Sequence, residues 1–326
     1  MRNINSNMES LIKGKCSLCR KDAKLYLRRH SGQLLCPECL ISSIERIIYR
    51  TISKYKMLNP EDTIIIGFSG GKDSVALLYN LIKIQKNTYG SKPIIALSID
   101  EGIDIYRESS IKIARDFCKK YNIEHKIISF KKKIGRSLDE IIDLVKPKKD
   151  FRYPCNYCAI LKRRLLNDEA KKLGGSVLAL GFNLTDITET FLMNILYNRF
   201  HLIGNQYLFD NNKDYSFYLR KIIPLMKIPE NEIQYYVKFK NLNFYDTNCP
   251  YREQYPILRK RVLEFIEKLK IKSPEIEFNL FNGFLELSKI FNKERENIDL
   301  TNCRKCNYPT SNTHECNYCK LIADLD

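Results

Sequence analysis

The sequence predicts an α/β protein whose parallel sheet is covered by helices on both faces. Short apolar segments alternate with helical patterns along residues 63–197, and this order is typical of parallel strands joined by helices. Paired cysteines flank the alternating region on both sides. A chain of 326 residues can bury a large core and is long enough for about two domains.

The alternating region contains four predicted strands, most of them short apolar runs of the kind that is buried on both faces. We expect strands at 63–68, 93–99, 124–129 and 176–180, and helices at 73–86, 106–121 and about 186–197. The remaining segments are expected to be a Lys-rich connection at 130–153 with a short helix near 138–145, an irregular loop at 199–220 and a helical region at 256–293.

Basic charge is the clearest compositional deviation. Lys and Arg number 55 against 38 Asp and Glu, which gives a net charge of +17. Such a balance favours a polyanionic partner such as nucleic acid, although a generally Lys-rich proteome would produce the same balance. The sequence has no apolar stretch of about 18 residues, and residues 1–16 lack the apolar centre of a secretory signal. We therefore expect a cytoplasmic protein with no membrane partner.

Most of the 12 cysteines stand in Cys-x-x-Cys pairs, which in a reducing cytosol indicate metal sites rather than disulfides. Two pairs near each end of the chain predict a tetrahedral zinc site, since segments this short cannot bury a core of their own. The predicted ligands are Cys16, Cys19, Cys36 and Cys39 in the first site, and Cys303, Cys306, Cys316 and Cys319 in the second. His30 could replace one thiol of the first site, but a polar role in its basic surroundings is the simpler interpretation.

A glycine-containing loop, Ser69–Ser74 with the sequence SGGKDS, joins the first predicted strand to the first predicted helix. Glycines let a backbone curl around a phosphate, and the N-terminus of the following helix presents unpaired N–H groups to it. The loop matches neither the Walker A pattern nor the dinucleotide-binding fingerprint. It therefore indicates a phosphate site of a different class.

Four cysteines remain outside the two zinc sites. Cys118 lies within a predicted helix and is expected to be a core residue. Cys155 and Cys158 form a further pair, and a helix is expected to begin near Cys158. Lys162 follows one helical turn after Cys158 on the same face. Together with the distal Cys249, the pair is one thiol short of a closed tetrahedral site. Spacing alone leaves three alternatives: a [4Fe–4S] cluster with one open iron, a redox pair, or a third zinc.

The SGGKDS loop resembles the PP-loop of the N-type ATP pyrophosphatases, which cleave ATP between the α- and β-phosphates and adenylate a carbonyl oxygen. The resemblance implies a Rossmann-like domain that uses ATP with Mg²⁺, in which Asp73 helps to hold magnesium. It also implies that the end of the second strand, Ile99-Asp100-Glu101-Gly102, lies near the nucleotide, and Asp100 is expected to bind it. The loop residues expected to bind the cofactor are Ser69, Gly70, Gly71, Lys72, Asp73 and Ser74.

The order of motifs along nearly the whole chain resembles the TtuA/NcsA group of tRNA 2-thiouridine synthetases. That order is a cysteine module, SGGKDS, DEGI, CxxCxxxKR, a GFNLTD segment, a lone cysteine and a second cysteine module. The resemblance implies that Cys155, Cys158 and Cys249 hold a [4Fe–4S] cluster whose open iron binds hydrosulfide. It also implies that Lys162 and Asp186 are catalytic or contact ATP.

The GFNLTD segment departs from the pattern of that group. The group usually has a His or similar residue after the glycine and then a paired Asp-Asp, whereas Phe182 and Thr185 stand at the corresponding positions here. Asp186 alone keeps a carboxylate, and Gly181 is expected to border the cofactor. The simpler alternatives are that Asp186 only favours the helix N-terminus and that Lys162 is a solvated cation.

The resemblance implies an ATP-dependent tRNA-uridine 2-sulfurtransferase. ATP would adenylate the C2 oxygen of a uridine, Lys162 would neutralise developing charge, and sulfide from the cluster would replace AMP. The expected partners are tRNA, free sulfide or a ubiquitin-like sulfur carrier, and a second copy of the chain in a homodimer. Two rivals are tRNA 2-thiocytidine synthesis and a non-catalytic zinc-ribbon RNA-binding protein. The expected domains are an N-terminal zinc module (1–48), a PP-loop domain (49–254), a helical region (255–298) and a C-terminal zinc module (299–326).

Overall fold

The computed structural model describes residues 11–88, 90–149, 151–206, 217–255, 258–294, 301–310 and 314–325. The N-terminal module is a three-stranded antiparallel sheet followed by a long helix. Its elements are β1 (Ile12–Lys15), β2 (Asp22–Arg28), β3 (Gln33–Leu35) and α1 (Pro37–Lys54). Helix α1 begins at Pro37, a residue suited to the first helical position. Leu40, Ile44 and Ile48 recur every four residues and form its buried face.

The centre of the molecule is a five-stranded parallel sheet with the strand order β6-β5-β4-β7-β8. The strands are β4 (Ile64–Gly67), β5 (Ile95–Asp100), β6 (Glu124–Ser129), β7 (Val177–Ala179) and β8 (Arg220–Ile222). The helices up to the last strand are α2 (Lys72–Lys86), α3 (Tyr106–Tyr121), α4 (Phe130–Ile134), α5 (Leu138–Val145), α6 (Pro154–Lys172), α7 (Leu184–Leu196) and α8 (Phe200–Asn205). The strand order reverses beside β4, and in open α/β sheets ligands bind in the crevice at such a point.

The part of the chain that follows the sheet is helical and ends in a second small module. Its elements are α9 (Glu230–Phe239), α10 (Pro250–Gln254), α11 (Leu258–Lys272), α12 (Ile276–Glu294), β9 (Thr301–Asn302), β10 (Pro309–Thr310) and α13 (Asn317–Ala323). Helices α11 and α12 pack on α7, and α13 packs on α6. None of the helices in the described ranges is long and apolar enough to cross a membrane.

The predicted fold class is confirmed, because the sheet is parallel and helices follow its strands. The bounds of α3, β6 and α5 coincide with the predicted segments. The interpretation of 199–220 as an irregular loop was incomplete, since this segment contains α8 and the first residue of β8, while 207–216 lies outside the described residues. The predicted domain boundaries stay predictions.

Candidate nucleotide and thiol site

The SGGKDS loop connects β4 to α2 and is shaped by its own hydroxyl groups. The Ser69 backbone N–H donates to Ser74 Oγ at 3.3 Å, and Ser74 Oγ donates to the Gly71 carbonyl at 2.9 Å. Gly70 has a φ of +82°, and a Cβ at this position would lie 2.4 Å from the Ser110 carbonyl oxygen. These contacts hold the loop, with the N-terminus of α2 at its end.

A cavity of about 150 Å³ lies against this loop. It is lined by Ser69, Gly71, Lys72, Asp73, Tyr106, Arg107, Ser110, Tyr245, Asp246, Thr247 and Asn248. Tyr245 fixes the opposite wall, because its N–H donates to the Gly70 carbonyl at 2.9 Å and its ring contacts that of Tyr106. The segment 245–248 that closes the cavity leads directly into Cys249. The cavity and the predicted thiol site are thus neighbours.

Charged groups surround Asp73 at the floor of the cavity. Lys72 Nζ lies 3.1 Å from Asp73 Oδ2 and 2.6 Å from Glu230 Oε1. Asn183 Nδ2 donates to Asp73 Oδ1 at 3.0 Å. Burial is the main cause that raises the pKa of Asp73, although Lys72 opposes it. Neither Asn183 nor Glu230 was singled out from the sequence, since both act through contacts with distant segments.

Asp186 lies beside this group at the start of α7. Its carboxylate accepts the Asn183 N–H at 3.2 Å, and Asn183 in turn accepts the Asp186 N–H, so the two residues form a capping box. Arg259 Nη1 lies 3.3 Å from Asp186 Oδ1. Burial, followed by the charge of Asp73, raises the pKa of Asp186 to about 6. Two carboxylates with this mutual influence form a donor set suited to Mg²⁺.

Two predicted cofactor residues have local structural roles. A Cβ at Gly181 would lie 3.1 Å from the Asp73 carbonyl carbon, so glycine lets the β7–α7 loop approach the start of α2. Asp100 Oδ1 accepts the Gly102 N–H at 3.0 Å and shapes the turn after β5. Their predicted contacts with the nucleotide stay predictions.

The three remaining thiols converge between α6 and α10. Helix α6 begins at Pro154, so the expectation that it starts near Cys158 was wrong, and proline at the first helical position is the signal for the earlier start. Cys155 and Cys158 occupy its first two turns, and Cys249 is the N-cap of α10. Burial is the main cause that raises the pKa of Cys158 to about 12; the charges of Glu101 and of the other two thiols add to it, and Lys162 opposes it.

The donor set fits a cluster better than a single ion. Within the described ranges, the sets of potential ligands whose atoms all lie within 4.8 Å of one another do not include these three thiols. They nevertheless influence one another electrostatically, and Lys162, Arg252 and Arg259 are the cations that act on Cys155 or Cys158. A wide group of three thiols beside cations suits an anionic iron–sulfur cluster with an open iron.

Lys162 is paired rather than solvated. Its ammonium forms an ion pair with Glu101, and Glu101 Oε2 also lies 2.7 Å from Arg107 Nε. Glu101 follows β5 and is 3% exposed. The sequence showed Glu101 within the DEGI motif, but its pairing with a lysine of α6 depends on how the sheet and this helix pack.

The eight cysteines of the flanking modules form two compact tetrathiol sites, as their spacing predicts. All four sulfur atoms of each set lie within 4.8 Å of one another. His30 is absent from the first set; its ring instead packs on Phe278 at a centroid distance of 4.4 Å. Four thiolates in this arrangement are a donor set typical of structural zinc.

Known proteins match the chain along most of its length. A family model described as a PP-loop domain matches residues 42–266. A probable sulfurtransferase of Methanocaldococcus jannaschii is 34% identical, with 95% of this chain and 86% of that protein covered. The tRNA-5-methyluridine(54) 2-sulfurtransferase of Pyrococcus horikoshii is 32% identical, with 94% and 93% covered.

A solved structure shows the same fold. The U34-tRNA thiolase NcsA of Methanococcus maripaludis, determined with its [4Fe–4S] cluster, superposes with a TM-score of 0.77 at 28% identity, and 97% of each chain is covered. The family model, the relatives and this superposition agree with the family resemblance that the motif order indicated. The chain therefore belongs to the PP-loop family, in the TtuA/NcsA group of tRNA 2-thiolation proteins.

Proposed function

We propose that this protein is an ATP-dependent tRNA-uridine 2-sulfurtransferase. The observation that carries the proposal is the continuity of the segment 245–249, which lines the nucleotide cavity with four residues and presents a thiol with the fifth. A nucleotide held on the SGGKDS loop would therefore react close to the thiol site. The relatives named as 2-sulfurtransferase and U34-tRNA thiolase support this chemistry.

The chain's own residues divide the work between two halves of the site. The loop Ser69–Ser74 and the N-terminus of α2 would hold the phosphates of ATP. Asp73 and Asp186 would hold Mg²⁺, while Asn183 keeps Asp73 in place. Tyr106 and Tyr245 would exclude water from the adenylated base.

Cys155, Cys158 and Cys249 would hold the [4Fe–4S] cluster. When bound, the cluster supplies sulfide through the iron that no cysteine occupies. The Lys162 ammonium would stabilise negative charge that develops on the uridine oxygen and phosphate during displacement. The tetrathiol modules would each bind one zinc, and the basic surface would bind the tRNA backbone.

The remaining partners follow from the resemblance and complete the proposal. Sulfur would arrive as free sulfide or from a ubiquitin-like carrier protein, and the protein would act in the cytoplasm as a homodimer. Native mass spectrometry of the purified protein, alone and with tRNA, measures the subunit number directly. A monomeric tRNA complex with full activity would contradict the homodimer.

Anaerobic reconstitution tests the function. The purified protein with ATP, Mg²⁺, sulfide and unmodified tRNA should produce 2-thiouridine, detected by nucleoside mass spectrometry, and fragment mapping would locate the modified position. Omission of ATP is the control. Formation of 2-thiocytidine instead of 2-thiouridine, or no thiolated nucleoside from a protein with a full iron complement, would contradict the proposal.

A further inference from the structure

Two linked ion pairs, which share the buried Glu101, connect the nucleotide cavity with the thiol site. Arg107 lines the cavity and donates from Nη1 to the Ser69 carbonyl of the loop at 3.1 Å. Its Nε lies 2.7 Å from Glu101 Oε2, and the other oxygen of Glu101 pairs with Lys162. Lys162 in turn lies one helical turn after Cys158 on the same face of α6. Glu101 is therefore the link between the two halves of the site.

Neighbouring cations stabilise the negative charge of the Glu101 carboxylate. It is almost fully buried, and burial penalises an isolated carboxylate strongly unless cations compensate it. Burial alone would raise the pKa of Glu101, but Lys162 and Arg107 outweigh it and lower the pKa. Arg107 directs its Nε–H to the Ile99 carbonyl at 2.8 Å, and Glu101 Oε2 accepts no hydrogen bond from the described residues. Its contact with Arg107 is thus electrostatic rather than a directed hydrogen bond.

The Lys162 ammonium needs a partner that fixes its position. Lys162 has a long flexible side chain that is 35% exposed, and an unrestrained lysine loses much rotamer entropy when its ammonium is fixed. Helix α6 places Lys162 on the same face as Cys158 but does not fix the ammonium. The ion pair with Glu101 supplies that restraint.

We propose that Glu101 is the positioning residue of Lys162. Arg107, which contacts both Glu101 and the SGGKDS loop, fixes the position of Glu101 relative to the loop. This inference rests on the proposed function. Glu101 acts through Lys162 and does not contact the reacting atoms. Its loss should therefore lower the rate of sulfur transfer while leaving tRNA affinity and iron content unchanged.

The first test replaces Glu101 by the isosteric neutral glutamine. Glu101→Gln should lower single-turnover thiolation by about 10-fold or more, with the tRNA KM within about 2-fold of the wild-type value. Glu169→Gln is the matched control, because Glu169 is also buried and also pairs with two lysines, Lys133 and Lys172, each at 2.9 Å. An equal loss in both variants, or a Glu101→Gln rate within about 2-fold of wild type, would overturn the proposal.

A double-mutant cycle separates positioning from a general structural role. If Glu101 acts through Lys162, the variant carrying both Glu101→Gln and Lys162→Ala should be no slower than Lys162→Ala alone, within about 3-fold. Multiplication of the two single losses would overturn the proposal. If Glu101→Gln does not fold by circular dichroism, Glu101→Asp takes its place in the cycle, since the shorter carboxylate keeps the charge but withdraws from Lys162. Wild-type turnover of Glu101→Asp would equally overturn the proposal.

Amine labelling provides a readout that does not depend on thiolation. The acylation rate of Lys162 by an N-hydroxysuccinimide ester, followed by peptide mass spectrometry, should rise several-fold in Glu101→Gln and stay unchanged in Glu169→Gln. If the wild-type protein makes no thiolated nucleoside, the proposed function fails, and this labelling result alone decides the role of Glu101. An unchanged labelling rate in Glu101→Gln would contradict positioning even in an active enzyme.

Discussion

The tetrathiol modules and the site formed by Cys155, Cys158 and Cys249, here called the three-thiol site, use the same ligand atom. The groups that stabilise or destabilise its charge differ between them. In each module backbone N–H groups reach the first cysteine: at Cys16 they outweigh burial, at Cys303 they are the largest influence, and the pKa falls to about 6 in both. At the three-thiol site burial dominates and raises the pKa of Cys158. Each module thus stabilises the thiolate of its first cysteine with its own backbone, although burial raises the pKa of Cys36, Cys39, Cys316 and Cys319. The three-thiol site depends instead on cations: Lys162 of the same helix acts on Cys158, and Arg252 and Arg259 from other elements act on Cys155.

The largest expected effect breaks this comparison at the ligands. Cys155→Ala, Cys158→Ala or Cys249→Ala should each abolish thiolation and iron binding, because the site offers three cysteine ligands and each variant keeps two. Anaerobic wild-type protein should contain about two zinc and about four iron per chain, and the variants should keep the zinc. Metal analysis by mass spectrometry measures both. Zinc at the Cys155 site of active, anaerobically prepared wild-type protein would sink the cluster assignment.

A defect in the nucleotide loop should impair ATP use without affecting iron binding at the three-thiol site. Asp73→Ala removes a carboxylate from the proposed Mg²⁺ site and should reduce Mg²⁺-dependent ATP use by about 100-fold or more. Its iron–sulfur absorption should match that of the wild type, because Asp73 does not belong to the thiol site. Undiminished thiolation by this variant would mean that the loop has another role.

Lys162 gives the comparison between the thiol sites a sharper test. A cation beside the three-thiol site is expected to act in the reaction. Lys162→Ala should reduce single-turnover thiolation by about 100-fold, with little change in tRNA affinity. Lys162→Arg should restore little activity, since a planar guanidinium does not replace a compact ammonium. If Lys162 only contacts the tRNA backbone, turnover at saturating tRNA stays normal and the salt dependence of binding becomes shallower by about one unit of slope. Titrations at several salt concentrations distinguish the two outcomes.

Burial of a carboxyl group that shares Arg259 with Cys155 should also appear as a pH dependence of stability. Glu189 pairs with Arg259 at 3.0 Å, and burial raises its pKa from 4.5 to about 7. The folded protein therefore binds this proton more tightly than the unfolded chain, and stability falls as pH rises between about 4.5 and 7. Glu189→Gln should gain about 2–3 kcal/mol relative to wild type across this window. Urea unfolding at pH 5 and pH 8 measures the difference, and a constant offset would refute it.

Local signals in the sequence were sufficient for the elements that depend on local chemistry. Apolar runs and helical spacing located the sheet strands apart from β8, which has three residues and follows a segment without a clear pattern. Cysteine spacing located both tetrathiol sites, because their ligands come from short segments. The pairing of Lys162 with Glu101 could not be predicted, since 60 residues lie between them in the sequence and only the packing of α6 against β5 brings them together.

The smallest expected effect concerns how the C-terminal module docks on α6, the helix that carries Cys155 and Cys158. Arg164 of α6 lies over the ring of Tyr308 at 3.4 Å, pairs with Asp168 at 2.6 Å and donates to Cys306 Sγ at 3.5 Å. Arg164→Met keeps the apolar stem but removes these contacts, and should cost about 1–2 kcal/mol of stability.

The neighbouring Arg163 provides the control, because its Nε donates to the Ala159 carbonyl of its own helix. Arg163→Met should leave the C-terminal module docked, whereas Arg164→Met should accelerate both proteolysis of residues 301–325 and chelation of their zinc. Iron content should remain normal in both variants, since neither arginine is a cluster ligand. Equal protease resistance of the two variants would show that the module is held by its other contacts with α6. Among the thiol sites, only Cys155, Cys158 and Cys249 would then depend on neighbouring lysine and arginine side chains.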